Sequence, residues 1–145
     1  MTINYTTEDI KERAKALTDG RGVDVVYDAV GDRYSEPALR SMAWGGRFLV
    51  VGFAAGEVPK VPLNLALLKG CDIVGVFWGP AVTRDPAGHQ RNVAAMMELW
   101  RSGRISPRVS AVYPLEDAVQ AILDVGARKA VGRIVVTLNN EPTAH

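Results

Sequence analysis

The 145 residues carry 17 Lys and Arg against 16 Asp and Glu, a net charge of +1, with 48% hydrophobic side chains. That balance fits one globular chain and excludes a polybasic nucleic-acid or membrane surface. No apolar run reaches the ~18 residues of a membrane span, and Met1-Thr2-Ile3-Asn4-Tyr5 lacks the basic and apolar regions of a secretory signal.

Ile3-Asn4-Tyr5 reads as a short strand. Thr6, with Asp9 three residues on, reads as the start of a capping box, and Ile10, Ala14 and Leu17 then form a helical stripe closed by Gly20 and Gly22. Residues 23–29 are a β-branched strand running into Gly31. Ser35 caps a second helix over 35–44, with Pro37 in its first turn and Leu39, Met42 and Ala43 on its buried face. Gly45-Gly46 then give a tight exit into a strand over 48–51. Residues 56–62 are a loop, and Asn64 caps a short helix over 65–68 ended by Gly70.

A strand over 72–77 follows, then a loop over 80–88. Val93, Met96, Met97 and Trp100 mark a helix over 90–101. A strand over 109–113, a helix over 115–124 after Pro114 and a strand over 132–138 complete the order, before a polar, frayed tail at 139–145. The alternation predicts an α/β fold with a mostly parallel sheet. The continuous apolar runs at 23–29 and 48–52 predict strands covered on both faces.

In open α/β sheets ligands bind beyond the carboxyl ends of strands. Here those ends are Asp28-Ala29-Val30-Gly31, Gly52-Phe53-Ala54-Ala55 and Phe77-Trp78-Gly79. Their glycines either admit a ligand to the backbone or serve only as strand exits. Two uses are open to Asp28: bonding a ribose hydroxyl, or capping the Gly31 backbone. Trp78 and Trp100 read as core or interface aromatics more readily than as ligand stackers, and Lys11, Arg13 and Lys15 as a solvated helix face. Cys71, the only cysteine, precludes an intramolecular disulfide and suits a cytoplasmic setting. It reads as a small buried hydrophobe. With His89 and His145 it makes too few soft ligands for zinc, so no metal site is expected.

Taken in order, Ile3-Asn4-Tyr5, Val25-Val26-Tyr27-Asp28-Ala29-Val30-Gly31, Gly45 to Phe53 and Gly132-Arg133-Ile134-Val135-Val136 resemble the zinc-independent quinone oxidoreductases of the medium-chain dehydrogenase/reductase superfamily. The resemblance implies a partial doubly wound, Rossmann-like, mostly parallel sheet without its first strands, its glycine-rich phosphate turn or the GroES-like catalytic domain. Residues 1–79 would be the back half of the dinucleotide-binding domain. Residues 80–138 would be its last helix and a segment that packs on the catalytic domain.

The resemblance also implies a cofactor, NADP. Tyr5 would lie near the adenosine phosphate and Ala29 at the adenine side. Val51, Gly52, Phe53 and Ala54, with Gly75, Val76 and Phe77, would run along the nicotinamide half. Arg128 or Lys129 would supply a basic group. No catalytic residue is assigned, and NADPH is not separated from NADH.

The expected reaction is hydride transfer from NADPH to a quinone or an activated C=C or C=O. The alternatives are a non-catalytic dimerisation or docking module and an orphan truncated product. Without the phosphate turn, NADPH binding by this chain is expected to be weak or absent and the chain by itself inactive. An exposed edge at 23–29 is expected to recruit other chains, and the strands at 109–113 and 133–138 to lack a partner for their inward faces. A homodimer through the strand at 72–77, and a small-molecule substrate in the complete enzyme, complete the expectations.

Overall fold

The computed structural model describes residues 1–138, and the tail expected to fray lies outside them. The chain divides into two compact units, Met1–Arg84 and the residues from Asp85 onward.

In the first unit the expected strand at residues 3–5 does not form. Asn4 spends its polar groups locally. Its carbonyl accepts from Thr7 N (3.0 Å) and Glu8 N (2.8 Å), and its side-chain oxygen accepts from Thr6 N (3.1 Å). A residue so engaged has nothing left to offer a sheet ladder. The helix α1, Ile10–Ala16, is capped by Asp9, which accepts from Glu12 N at 2.8 Å, and not by Thr6.

Strand β1 (Val23–Asp28) pairs in parallel with β2 (Met42–Val50), and β2 pairs in parallel with β3 (Asp72–Gly75), giving the order β1-β2-β3. A 3₁₀ turn at Asp32–Tyr34 leads into α2 (Ser35–Arg40), and α3 (Asn64–Lys69) precedes β3. The second helix is shorter than its periodicity predicts. Ser41 closes it through bonds to the Pro37 and Ala38 carbonyls, and Met42 then pairs with Val23. Met42 and Ala43 are buried as expected, but from the strand. The register slips between Val23 and Val25, so β2 bulges through Gly45-Gly46. Gly46 has no room for a side chain there: a β-carbon would stand 2.7 Å from Met42 Cε and 2.9 Å from the Asp24 carbonyl.

The core is Leu39, Met42, Phe48 and Leu65, flanked by Val26, Ala38, Val50, Val61 and Cys71. Both α2 and α3 contribute to it, so they cover the same face of the sheet. The other face of β1 is open, with Val25 57% and Tyr27 67% exposed. Within this chain the expected cover on both faces is therefore not met at β1. Alternate residues point to opposite faces of a strand, and Val26 on β1 with Met42, Phe48 and Val50 on β2 are the ones packed with the helices. Lys69 reaches back from α3 to donate to the Met42 carbonyl at 3.0 Å.

Where a loop is expected at 80–88, α4 (Trp78–Arg84) stands, and the helix expected over 90–101 begins earlier, as α5 (Pro86–Arg101). In the second unit Asp85 caps α5, accepting from Gly88 N at 2.8 Å, and Pro86 occupies the first turn. Then β4 (Val109–Pro114) pairs in parallel with β5 (Arg133–Thr137) around α6 (Ala118–Gly126), which a 3₁₀ turn at Leu115–Asp117 introduces. Val109, Val112, Val135 and Val136 are all exposed by more than a third. No helix among the described residues is long and apolar enough to cross a membrane.

Candidate functional site

Because β1, β2 and β3 are parallel, their carboxyl ends lie along one edge of the sheet. Beyond that edge the first two chains stay bonded. Val51 N and Gly52 N donate to the Asp28 carbonyl at 2.9 and 3.2 Å, Ala54 N to Ala29 O at 3.1 Å, and Ala55 N to Val30 O at 2.9 Å. Val76 N then donates to Val50 O at 2.8 Å, which brings the β3 exit alongside. Ala29, the run Val51, Gly52, Phe53 and Ala54, and the run Gly75, Val76 and Phe77 are thus gathered on one rim.

Ala29, Val51, Gly52 and Val76 are half-buried there, while Phe53, Ala54, Gly75 and Phe77 are exposed. The glycines differ in what they do. Gly31 holds φ +73° against Phe53, whereas Gly75 faces open space, with nothing within 4 Å of where a β-carbon would stand. Among the described residues, the Phe53 N–H and the carbonyls of Val51 and Gly52 take no hydrogen bond. These backbone groups remain free to meet a ligand.

Asp28 resolves as a cap. Its Oδ1 accepts from Val30 N (3.0 Å) and Gly31 N (2.8 Å), and its Oδ2 from Ser35 Oγ (2.5 Å). Ser35 is buried at the head of α2. Behind the rim lies a mostly apolar cavity of about 190 Å³ lined by Leu39, Phe48, Val50, Phe53, Val58 and Ile73 among others.

Tyr5 stands beside the turn that follows Gly31. Its ring meets Tyr34 edge-on, with centroids 5.2 Å apart and planes at 70°. Arg33 lies over the Tyr34 ring at 5.0 Å and donates to its hydroxyl at 2.9 Å. That hydrogen bond raises the Arg33 pKa further. Sequence reasoning did not single out Arg33 and Tyr34; the signal was a basic-aromatic pair directly after a strand exit. The same turn borders a groove of about 560 Å³ whose lining mixes Lys11, Arg33 and Lys60 with Asp9, Asp32 and Glu57.

Arg128 belongs to the second unit. It sits in the turn after α6 with φ +57°, exposed, its N–H donating to the Val125 carbonyl at 3.0 Å. Of the two basic candidates there, Lys129 is engaged. Its ammonium bonds Asp124 at 3.0 Å, and Asp124 also accepts from Tyr113 OH (2.7 Å) and Gln120 (3.0 Å). These donors hold the Asp124 carboxyl below the usual range, Tyr113 first and Lys129 next. The bond to Asp124 in turn pushes the Tyr113 phenol up.

Residues 1–136 match the model of a family described as zinc-binding dehydrogenase. A quinone oxidoreductase-like protein 2 homolog of Nematostella vectensis is 38% identical over 136 residues, which are 93% of this chain and 37% of that protein. The crystal structure of a quinone oxidoreductase from Pseudomonas syringae superposes with a TM-score of 0.79 at 28% identity, over 93% of this chain and 42% of the other. A mycobacterial protein complexed with NADPH superposes at 0.77 with 31% identity, over 88% of this chain and 39% of its own. The chain thus spans about two fifths of the length of the relatives it matches. With its parallel sheet and its single rim of strand ends, it belongs to the zinc-binding dehydrogenase family, in the quinone-oxidoreductase branch of the medium-chain dehydrogenase/reductase superfamily, and carries that family's Rossmann-like fold.

Proposed function

We propose that this chain forms one wall of an NADPH site in an oxidoreductase of quinone-reductase type. Hydride would pass from NADPH to a quinone or to an activated C=C or C=O. The observation that carries this reading is the gathering of three parallel strand exits on one rim, with unused backbone groups at Val51, Gly52 and Phe53 and open space at Gly75. A flat, partly polar ring can come close to the backbone of such a rim where a glycine carries no side chain.

NADPH supplies the hydride chemistry itself; the protein binds and orients it. In the proposed arrangement Ala29 lies at the adenine side, and Val51, Gly52, Phe53 and Ala54 with Gly75, Val76 and Phe77 line the nicotinamide half. Tyr5 stands near the adenosine phosphate, where Arg33 adds a positive charge. Among the described residues no group of three His, Cys, Asp or Glu side chains could hold a metal ion.

The experiment is a titration of the ¹⁵N-labelled chain with NADPH, followed by NMR. Shifts are expected at Ala29, Gly52, Phe53 and Gly75. Binding weaker than about millimolar is expected, because no glycine-rich turn opens a helix to take the pyrophosphate among the described residues. An absence of shifts on the rim would remove the reading. A longer protein containing this chain is expected to oxidise NADPH with a quinone as acceptor.

We further propose a homodimer through the outer edge of β3 and a cytoplasmic setting. A second reading, a non-catalytic docking module, is favoured by one observation, the open apolar face of β1 at Val25 and Tyr27. A rim insensitive to NADPH, in a chain that self-associates tightly, would favour it.

A further inference from the structure

We infer that Asp28 is a positioning residue, which sets the shape of the rim rather than touching the ligand; the inference rests on the cofactor-site reading above. Both of its carboxylate oxygens are committed. Oδ1 holds the two N–H groups of the β1 exit at Val30 and Gly31, and Oδ2 holds the buried Ser35 hydroxyl at the head of α2. Its own carbonyl holds Val51 N and Gly52 N of the β2 exit. One residue therefore joins three segments: the turn after β1, the helix that covers the core, and the run after β2.

The consequence reaches the rim through the backbone. With residues 29–31 bent by the carboxylate, the Ala29 and Val30 carbonyls face Ala54 N and Ala55 N and accept from them. The same bend presses Gly31 against the Phe53 ring, where a β-carbon would stand 2.8 Å from Cδ1. Val51, Gly52 and Phe53, whose unused backbone groups would meet the coenzyme, are thus held by a bracket that begins at Asp28. A charged acceptor suits this task, since hydrogen bonds to ionised oxygens are the stronger ones. A ribose hydroxyl would have to displace one of these bonds to reach the carboxylate.

Three variants of the chain test this: Asp28→Ala, Asp28→Asn and Ser35→Ala. Two readouts are taken on each, amide hydrogen exchange at Val30, Gly31, Ala54 and Ala55, and the NADPH-induced shifts at Ala29, Gly52 and Phe53. Asp28→Ala is expected to speed exchange at all four amides by roughly tenfold or more and to weaken the NADPH response. Asp28→Asn is expected to restore both. Its amide oxygen can accept the two N–H bonds while its amide nitrogen donates to Ser35 Oγ. Ser35→Ala, which removes one bond and keeps the fold's larger contacts, is expected to fall between and reports even where Asp28→Ala fails to fold.

Unchanged exchange with a lost NADPH response would make Asp28 a ligand contact and overturn the inference. Faster exchange with an intact NADPH response would make it a purely structural cap and overturn it equally. A wild-type rim that ignores NADPH removes the cofactor reading and the positioning role with it. The exchange data distinguish that outcome from a failure of the bracket.

Discussion

Gly31 and Phe53 stand so close that a β-carbon on the glycine would lie 2.8 Å from the phenyl Cδ1 and 3.2 Å from the phenylalanine Cα. The glycine also holds φ +73°, a conformation that a side chain strains. Gly31→Ala therefore meets two penalties, and a loss of about 1–3 kcal/mol in urea unfolding is expected. Adding Phe53→Ala should relieve the ring clash and leave the backbone strain. The double variant is then expected to recover part of the loss, and full recovery would show that the backbone conformation costs nothing.

Leu39 is 1% exposed and packs with Met42, Phe48 and Leu65 at the centre of the first unit. With so few wholly buried side chains, the unit has little redundancy. Leu39→Ala is expected to cost roughly 2–5 kcal/mol, the range for cavity-forming core truncations. Cys71 borders the same cluster but is half-buried, and Cys71→Ala should cost less. Chemical denaturation of both variants checks the order, and a larger loss at Cys71 would misplace the core.

The first sheet was legible because its strands are β-branched runs that end in glycine, and that pattern survives without tertiary context. The strand expected at residues 3–5 failed for a local reason, since Asn4 bonds its own neighbours. Met42 and Ala43 fit a helical stripe as well as they fit a strand, and only the pairing of Met42 with Val23 decides between them. The helix at Trp78–Arg84 and the first turn of the helix expected over 90–101 were hidden by Gly79, Pro80 and Gly88, although Asp85-Pro86 is a cap followed by a first-turn proline. At the site, the strand exits could be located from their glycines. The meeting of Tyr5 with Tyr34 could not, because it joins residues far apart in sequence with no shared periodicity.

Tyr113 and Asp124 form a pair whose charge states oppose one another. The hydrogen bond to Asp124, loss of solvent and the carboxylate charge together raise the Tyr113 phenol above its ordinary value. The phenol's contribution to stability is therefore present below about pH 10 and lost as the pH climbs beyond it. Asp124 is shifted down, so its contribution is present above about pH 4 and lost as the pH falls further. Asp124→Asn should bring the Tyr113 ionisation back toward the ordinary phenol, and Tyr113→Phe should delete that late step. Tyrosinate absorbance titrations check this; superimposable curves for wild type and Asp124→Asn would remove the coupling.

Strands β1 and β3 are the two edges of the first sheet, and both expose apolar side chains: Val25 and Tyr27 on one, Ile73 and Val74 on the other. An unpaired ladder with apolar neighbours invites another strand, and a lysine at such an edge discourages it. If copies join through β3 as proposed, Val74→Lys should shift the chain toward monomer in sedimentation velocity while leaving the unfolding midpoint of the monomer nearly unchanged. Val25→Lys should then have little effect on association. The opposite ranking would place the contact on β1 and favour the docking reading over the dimer. Val74 is already 38% exposed, so the lysine head can stay in water while its stem covers the strand. A change in association is then attributable to the edge itself, not to a damaged core.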